Sequence, residues 1–156
     1  MRMLLLISLT AFAAGSAAQA QMNTKDLKWG AAPAGLPAGA QLAVLSGDPT
    51  KEGMFTIRLK FPANYAVPPH HHPTDELVTV IDGQVSAGMG DTVDRAKAAT
   101  LNDAGYVVMP ANMNHYAFTT SGATIQITSH GPFQVIYVNP KDDPRNSAAP
   151  APEKGE

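Results

Sequence analysis

Apolar and polar residues alternate with a period of two along much of the chain. Residues 54–62 (MFTIRLKFP) show it most clearly: every second residue from Phe55 to Phe61 is apolar, and Thr, Arg and Lys stand between them. Successive side chains of an extended strand point to opposite faces of a sheet. The pattern therefore predicts a strand with one buried face and one face toward solvent.

Further short strands are predicted on both sides of this one, separated by Gly, Pro, Asn and Ser turns. They lie around residues 41–45 and within ELVTVIDGQVSAGMG, GYVVMP, NHYAFTT, ATIQITS and FQVIYVNP. In ELVTVIDGQVSAGMG, the hairpin-turn dipeptide Asp82-Gly83 divides the segment into two strands. Only residues 92–100 (TVDRAKAAT) are helix-like. Roughly eight to ten short strands and one helical turn predict an all-β sandwich or barrel.

The two ends of the chain differ from this β-rich middle. Residues 1–20 combine Arg2, an apolar stretch and a small-residue A-x-A site, which predicts a secretory signal peptide. The apolar stretch is short for a transmembrane anchor. Residues 141–156 are rich in Pro, Ala and charge and predict a disordered tail. We therefore expect one domain, residues 21–140 with an N-terminal arm, in a periplasmic or secreted protein.

Composition restricts both the partners and the metal ligands of the protein. The 156-residue chain has 11 Lys and Arg against 13 Asp and Glu, a formal net charge of −2. This balance suits neither nucleic acid nor an anionic membrane surface. The chain has no cysteine, so disulfides and thiolate metal sites are excluded. Any metal must be held by imidazole nitrogens and carboxylate oxygens.

Three of the five histidines stand together in HHHPTDE, residues 70–76, just before a predicted strand. On an extended chain His70 and His72 share a face, and His71 points away. Glu76 opens the next strand and His115 opens another after a Pro- and Asn-rich turn, so both can return beside the two imidazoles. Three imidazoles and a carboxylate suit one divalent first-row metal ion, with Fe(II) or Mn(II) favoured and Zn, Ni or Cu as alternatives. A solvated histidine-rich loop is the competing interpretation of the triplet alone.

The longer pattern resembles the cupin superfamily, whose two motifs are G-x5-H-x-H-x3-E-x6-G and G-x5-P-x-G-x2-H-x3-N. Matching residue types stand at the four metal-ligand positions of these motifs: His70, His72, Glu76 and His115. The departures from the motifs are at other positions: Asn64, Ala104, Asn112 and Thr119. Asparagine tolerates a positive φ, so two of the tight turns can survive, and Gly105 can shift the third turn by one residue.

The resemblance covers about residues 54–138, and it implies a single-domain jelly-roll (double-stranded β-helix) barrel with a metal inside. It also implies a metal-dependent enzyme for a small-molecule substrate, with dioxygenase-like chemistry as the first expectation and isomerase, lyase or hydrolytic chemistry as alternatives. A non-catalytic module that binds or senses a small ligand or metal fits the same residues, as do histidines that only stabilise the barrel. Cupins commonly pair, so a homodimer is expected, with the arm covering a sheet edge.

Other side chains are weaker candidates for the site. Those that could face the barrel interior are Tyr65, Met89, Tyr116, Phe118, Gln126 and Phe133. His71 is expected at the surface or behind the ligands. His130, before Gly131-Pro132, is expected to be a turn residue, and it could contact substrate only if it lies inside the barrel.

Overall fold

The computed structural model describes residues 22–147, so the predicted signal peptide, residues 1–20, lies outside the described part. Within residues 22–147 the chain forms three short 3₁₀ helices and eleven β-strands. The strands are β1 (Gly30–Ala31), β2 (Gln41–Ser46), β3 (Gly53–Phe61), β4 (Tyr65–His71), β5 (Glu76–Gly83), β6 (Val85–Met89), β7 (Ala99–Leu101), β8 (Tyr106–Met109), β9 (His115–Thr119), β10 (Ala123–Gly131) and β11 (Ile136–Tyr137).

The strands form two antiparallel sheets that face each other. One sheet has the order β1-β2-β3-β10-β5-β8, and the other has the order β11-β4-β9-β6-β7. From β3 onward the chain passes back and forth between the two sheets, which closes them into a barrel. This is the all-β jelly-roll architecture that the sequence predicted.

Alternate residues of the strands fill the space between the sheets. In β3 the four apolar residues from Phe55 to Phe61 are buried, as their spacing predicted. On the neighbouring strand β10, Ile125 and Ile127 are buried on the same side. Burying one such side chain contributes about 1.5–3 kcal/mol, so these two central strands supply much of the stability of the barrel.

The turn at Asp82-Gly83 is not the predicted hairpin. β5 pairs with β8 and β10, whereas β6 pairs with β7 and β9. The chain therefore crosses from one sheet to the other at this point. Gly83 has a φ of 87°, and a Cβ there would lie 2.6 Å from the carbonyl oxygen of Gly122. The dipeptide marks a sharp bend, but a bend alone does not decide whether the strands on either side pair.

The helix predicted for residues 92–100 is also absent, since this segment forms turns and the start of β7. The carboxylate of Asp94 accepts hydrogen bonds from the backbone N–H groups of Ala96 and Lys97. Such local side-chain bonds compete with helix formation, which is already unfavourable in so short a segment. Among residues 22–147, no helix has the length and apolarity needed to cross a membrane.

The ordered chain continues past the boundary predicted at residue 140. Short 3₁₀ helices occupy Pro140–Asp142 and Pro144–Ser147, where a disordered tail was expected to begin. Arg145 fixes this segment, because its Nη2 donates to the carbonyl oxygen of Val135 at 2.8 Å and to the carboxylate of Asp143 at 2.7 Å. Residues 148–156 of the predicted tail lie outside the described part.

Three turns have non-glycine residues in the left-handed region. The φ values of Asn64, Ala104 and Asn112 are 58°, 64° and 59°, and these are the positions where the cupin motifs have glycine. The expectation for the two asparagines is confirmed. The expectation that Gly105 would shift the third turn by one residue is wrong, because Ala104 itself adopts the positive φ. The turn cannot shift because the backbone N–H of Ala104 and carbonyl of Gly105 both bond to Val80.

We expect Ala104→Gly to stabilise the protein. A left-handed alanine costs about 1–2 kcal/mol, whereas glycine adds only about 0.4–1 kcal/mol of unfolded-state entropy. The free energy of unfolding in urea should therefore rise by about 0.5–1 kcal/mol. Ala66→Gly on strand β4 is the matched control and should lower it by a similar amount. A loss of stability in Ala104→Gly would contradict strain at this turn.

Candidate metal centre

The four predicted ligands meet in the barrel interior. His70 lies near the end of β4, His72 follows that strand, Glu76 is the first residue of β5, and His115 is the first of β9. All four are buried, with exposed fractions between 2 and 7%. His70 and His115 are directly opposed across β4 and β9, which places their side chains side by side. Residues far apart in sequence are thus brought together by strand pairing.

The distances among these groups are those of a compact cluster. The imidazole ring centroids of His70 and His115 are 4.4 Å apart, and each lies 5.0–5.2 Å from the ring of His72. One ring nitrogen of each histidine lies within 4.8 Å of the corresponding nitrogens of the others. Oε2 of Glu76 is 3.6 Å from Nε2 of His72 and 3.6 Å from Nε2 of His115. These three histidines could therefore hold a metal ion, with Glu76 beside them.

Main-chain carbonyl groups set the orientation of all three rings. The Nδ1 atoms donate as follows: His70 to Pro68 at 2.6 Å, His72 to Gln134 at 2.6 Å, and His115 to Met113 at 3.0 Å. A carbonyl oxygen can only accept, so each neutral ring carries its proton on Nδ1 and leaves a lone pair on Nε2. A hydrogen bond of this kind fixes the tautomer and orientation of histidine ligands in metal sites.

The electrostatics of the cluster favour the neutral form of two of its imidazoles and the ionised form of its carboxylate. Burial, followed by the neighbouring His115 and His72, lowers the pKa of His70 to about 3. Burial also lowers the pKa of His72. Burial alone would raise the pKa of Glu76, but His115 and the other two imidazoles outweigh it and leave that pKa below its ordinary value. Neutral imidazoles beside an ionised carboxylate are the forms that bind divalent metals.

A divalent cation would also satisfy atoms that otherwise have no partner. Nε2 of His72 and Nε2 of His115 are buried and make no hydrogen bond. Leaving a buried polar atom unpaired costs about 1–3 kcal/mol, so such atoms are uncommon in proteins. Three nitrogens and one carboxylate oxygen fit the preferences of several first-row metals, including Fe(II), Mn(II) and Zn(II).

The other two histidines lie away from the cluster. His71 points away, as expected, and its Nδ1 donates to Oδ1 of Asn114 at 2.9 Å. Asn114 in turn donates from Nδ2 to the carboxylate of Asp91 at 2.7 Å. His130 is exposed at the end of β10, and its Nδ1 donates to the carbonyl oxygen of Gly131. Neither side chain lines the metal cavity.

Of the six other candidates, only Phe133 lines the cavity at the cluster. Its ring stacks on the ring of His72, with centroids 4.4 Å apart and planes 20° apart. Tyr65 is buried in the core, where its hydroxyl donates to the carbonyl oxygen of Pro37. Met89 is 46% exposed at the end of β6.

The remaining three candidates face away from the cavity. The ring of Phe118 lies beneath the guanidinium of Arg95, 4.2 Å from the ring centroid. Gln126 accepts a hydrogen bond from Arg58 on the outer face of the first sheet. Tyr116 follows the ligand His115 directly, so its side chain points to the opposite face of β9.

The cavity at the cluster is small and apolar. Its volume is about 50 Å³, and both sheets contribute to its lining. Apart from the four predicted ligands, every lining residue is hydrophobic, among them Leu59, Val78, Val107, Met109 and Phe133. Sequence reasoning did not single out Val107 or Met109, although the alternation within GYVVMP placed them on one face.

Comparison with known proteins supports the cupin interpretation. A family model described as "Domain of unknown function (DUF4437)" matches residues 15–136. The "Putative germin-like protein 9-2" of Oryza sativa subsp. japonica is 36% identical over 63 residues, and this match covers 40% of the chain and 29% of that protein.

Solved structures with the same barrel span most of the chain. A "putative acetylacetone dioxygenase" from Methylibium petroleiphilum PM1 has a TM-score of 0.62 at 18% identity, covering 90% of each chain. The polyketide cyclase RemF from Streptomyces resistomycificus has a TM-score of 0.63 at 16% identity, covering 80% of this chain and 89% of that one. An RmlC-like cupin from Shewanella frigidimarina NCIMB 400 has a TM-score of 0.55 at 14% identity, covering 70% of this chain and 87% of that one. At these identities the similarity establishes the shared fold.

We expect His115→Ala to weaken metal binding by at least about 100-fold, because even the loss of an outer hydrogen bond to a ligand costs 10–100-fold. Metal content after dialysis, measured by elemental analysis, should fall from near one ion per chain to a small fraction. The matched controls are His71→Ala and His130→Ala, which should keep their metal. Equal loss in His71→Ala and His115→Ala would indicate binding by the exposed loop rather than by the buried cluster.

Proposed function

Because the chain belongs to the DUF4437 family and has the cupin fold, we propose that it is a metal-dependent enzyme acting on a small organic molecule. Dioxygenase-type chemistry is the first candidate reaction. The observation that carries this proposal is the convergence of three imidazoles and one carboxylate on a cavity that is otherwise entirely hydrophobic.

The lining of the cavity restricts the substrate. No lysine, arginine or hydroxyl-bearing side chain is among the residues that line it. A charged group placed away from the metal would be buried without a partner, which is strongly unfavourable. The polar atoms of the substrate should therefore face the four ligands, and the rest of the molecule should be apolar.

The same lining favours redox chemistry at the metal over reactions that need a separate acid or base. Apart from the four proposed ligands, no residue that lines the cavity can accept or donate a proton. Hydrolysis, isomerisation and elimination commonly need a separate acid or base. A divalent metal held here would supply Lewis acidity and, if it is iron, redox chemistry with dioxygen. The chain itself holds the rings in place through their Nδ1 atoms and surrounds the four ligands with hydrophobic side chains.

Two neighbours in fold bear names that support enzymatic use of this barrel. One is named a "putative acetylacetone dioxygenase" and the other a polyketide cyclase. The two named reactions differ, so they support action on small organic molecules and do not select a reaction. Fe(II) and Mn(II) remain the proposed metals, because the donor set includes a carboxylate.

A non-catalytic role is the second candidate, and the size of the cavity favours it. Ligand pockets usually have volumes of about 300–1,000 Å³, whereas the space at the cluster is about 50 Å³. Such a cavity holds a metal ion and a few small groups. A protein that stores or senses the metal, or a very small ligand, would need no more space than this.

Oxygen consumption by the metal-loaded protein distinguishes the two roles. We expect turnover with at least one compound from a panel of small keto compounds, phenols and flavonols, and no turnover by His115→Ala. His71→Ala is the matched control and should keep wild-type activity. If the loaded protein is inert in oxidative, hydrolytic and isomerising assays yet binds a ligand reversibly in calorimetry, the binding role replaces the enzymatic one.

We also propose that the protein is exported and forms a homodimer. The composition of residues 1–20 supports export. The arm forms β1 and β2 on its own β3, so it already covers one edge of the first sheet. At the other edge, β5 and β8 carry the exposed apolar residues Ile81 and Val108, which a second copy could cover. Light scattering of the mature chain tests the pairing, and a strictly monomeric mass would contradict it.

A further inference from the structure

Two methionines stand beside two of the proposed ligands. Met109 on β8 is directly opposed to Glu76 on β5, and Met89 on β6 is directly opposed to His115 on β9. Opposed residues of antiparallel strands project from the same face, so both methionines face the barrel interior next to a ligand. Met109 is 5% exposed and Met89 is 46% exposed. The interior face of the barrel therefore reaches solvent at the end of β6.

A groove lies at this opening, along the edge strands β7 and β8 of the two sheets. Its volume is about 650 Å³, far larger than the metal cavity. Four residues line both the groove and the cavity: Ala87, Leu101, Val107 and Met109. The two spaces are therefore separated by side chains of one shared wall.

Tyr116 fixes the position of a loop that lines the groove. Its hydroxyl donates to the carbonyl oxygen of Asp94 at 2.7 Å and accepts from the Asp94 N–H at 3.0 Å, which anchors the loop between β6 and β7. A side chain at Gly88 would collide with the Tyr116 ring. The charged residues that line the groove, Asp94 and Lys97, are 3.2 Å apart and pair with each other. The groove thus presents apolar surface without an unpaired charge.

A second groove touches the metal cavity on its opposite side but is less suited to admit a substrate. It has a volume of about 370 Å³ and, like the first groove, shares four lining residues with the cavity: Leu36, Leu59, Phe133 and Val135. There Phe133 is stacked on His72, and Arg145 is bonded to the Val135 carbonyl. Methionine side chains are unbranched and adapt easily, so Met109 in the shared wall can move aside at lower cost than a stacked ring.

We propose that the substrate reaches the metal through the groove along β7 and β8, and that Met89 and Met109 determine its specificity. This inference rests on the proposed function and names its substrate class. The substrate carries an oxygen-donor head that fits beside the four ligands and an uncharged apolar tail that lies in the groove. Only the head of such a molecule has to fit in the metal cavity, so the small volume at the cluster is compatible with a larger substrate.

Binding of alkyl hydroxamates to the cobalt-loaded protein tests this inference without relying on turnover. These probes offer two oxygen donors and a tail of adjustable length, and the visible spectrum of Co(II) reports their binding. We expect the dissociation constant to fall about threefold to fourfold for each methylene from acetohydroxamate to hexanohydroxamate, as burial of a CH₂ group requires.

Two tryptophan substitutions test which groove holds the alkyl tail of the hydroxamate. Met89→Trp narrows the groove and should abolish the gain with chain length, while the affinity for acetohydroxamate stays within about twofold of wild type. Ala34→Trp, at the second groove, is the matched control and should leave the whole series unchanged. A gain that persists in Met89→Trp, or one that Ala34→Trp removes, would overturn the assignment of the groove.

The experiment distinguishes an error in the proposed groove from an error in the proposed metal centre. If cobalt and acetohydroxamate bind but longer tails bring no gain, the metal centre stands and the groove is overturned. If the protein takes up no cobalt, the proposed metal centre is contradicted, and the inference about the groove, which rests on it, is contradicted as well.

Discussion

The structure depends on three hydrogen bonds between imidazole Nδ1 atoms and main-chain carbonyl groups. These bonds turn the Nε2 lone pairs of His70, His72 and His115 toward one point inside the barrel. At that point burial keeps His70 and His72 neutral, and Glu76 remains ionised beside them. Without a cation, two of the nitrogens are buried with no partner. A metal ion bound here would convert this unfavourable arrangement into a stabilising one, so the fold and the proposed chemistry would share a single requirement.

The barrel meets this requirement by pairing strands that are distant in sequence. β4 and β9 belong to one sheet and place His70 opposite His115, while β5 in the other sheet brings Glu76 across the cavity. Two further pairings, of β5 with β8 and of β6 with β9, set the two methionines opposite proposed ligands. The rest of the lining is hydrophobic. A polar centre in a hydrophobic cavity with one adaptable wall is suited to a substrate with a polar head and an apolar tail.

Much of this could be predicted from the sequence because the relevant signals are local. The alternation in residues 54–62 predicted the buried face of β3, and the spacing from His70 to Glu76 predicted which side chains would converge. The errors arose where non-local contacts decide the outcome. The bend at Gly83 gives no information on strand pairing, and the order of residues 141–147 depends on the bond from Arg145 to Val135. Tyr116 and Phe118 lie one and three residues after the predicted ligand His115, so side-chain alternation could have placed both on the outer face. The same alternation could have placed Gln126 there, because it stands between two buried isoleucines.

X-ray absorption at the metal edge of the mature protein, purified with its native metal, tests the central claim most directly. The account predicts one ion with about three imidazole nitrogens and at least one oxygen at about 2.0–2.2 Å, with the outer-shell scattering that imidazole rings produce. A metal surrounded only by oxygen, without imidazole scattering, would contradict the account.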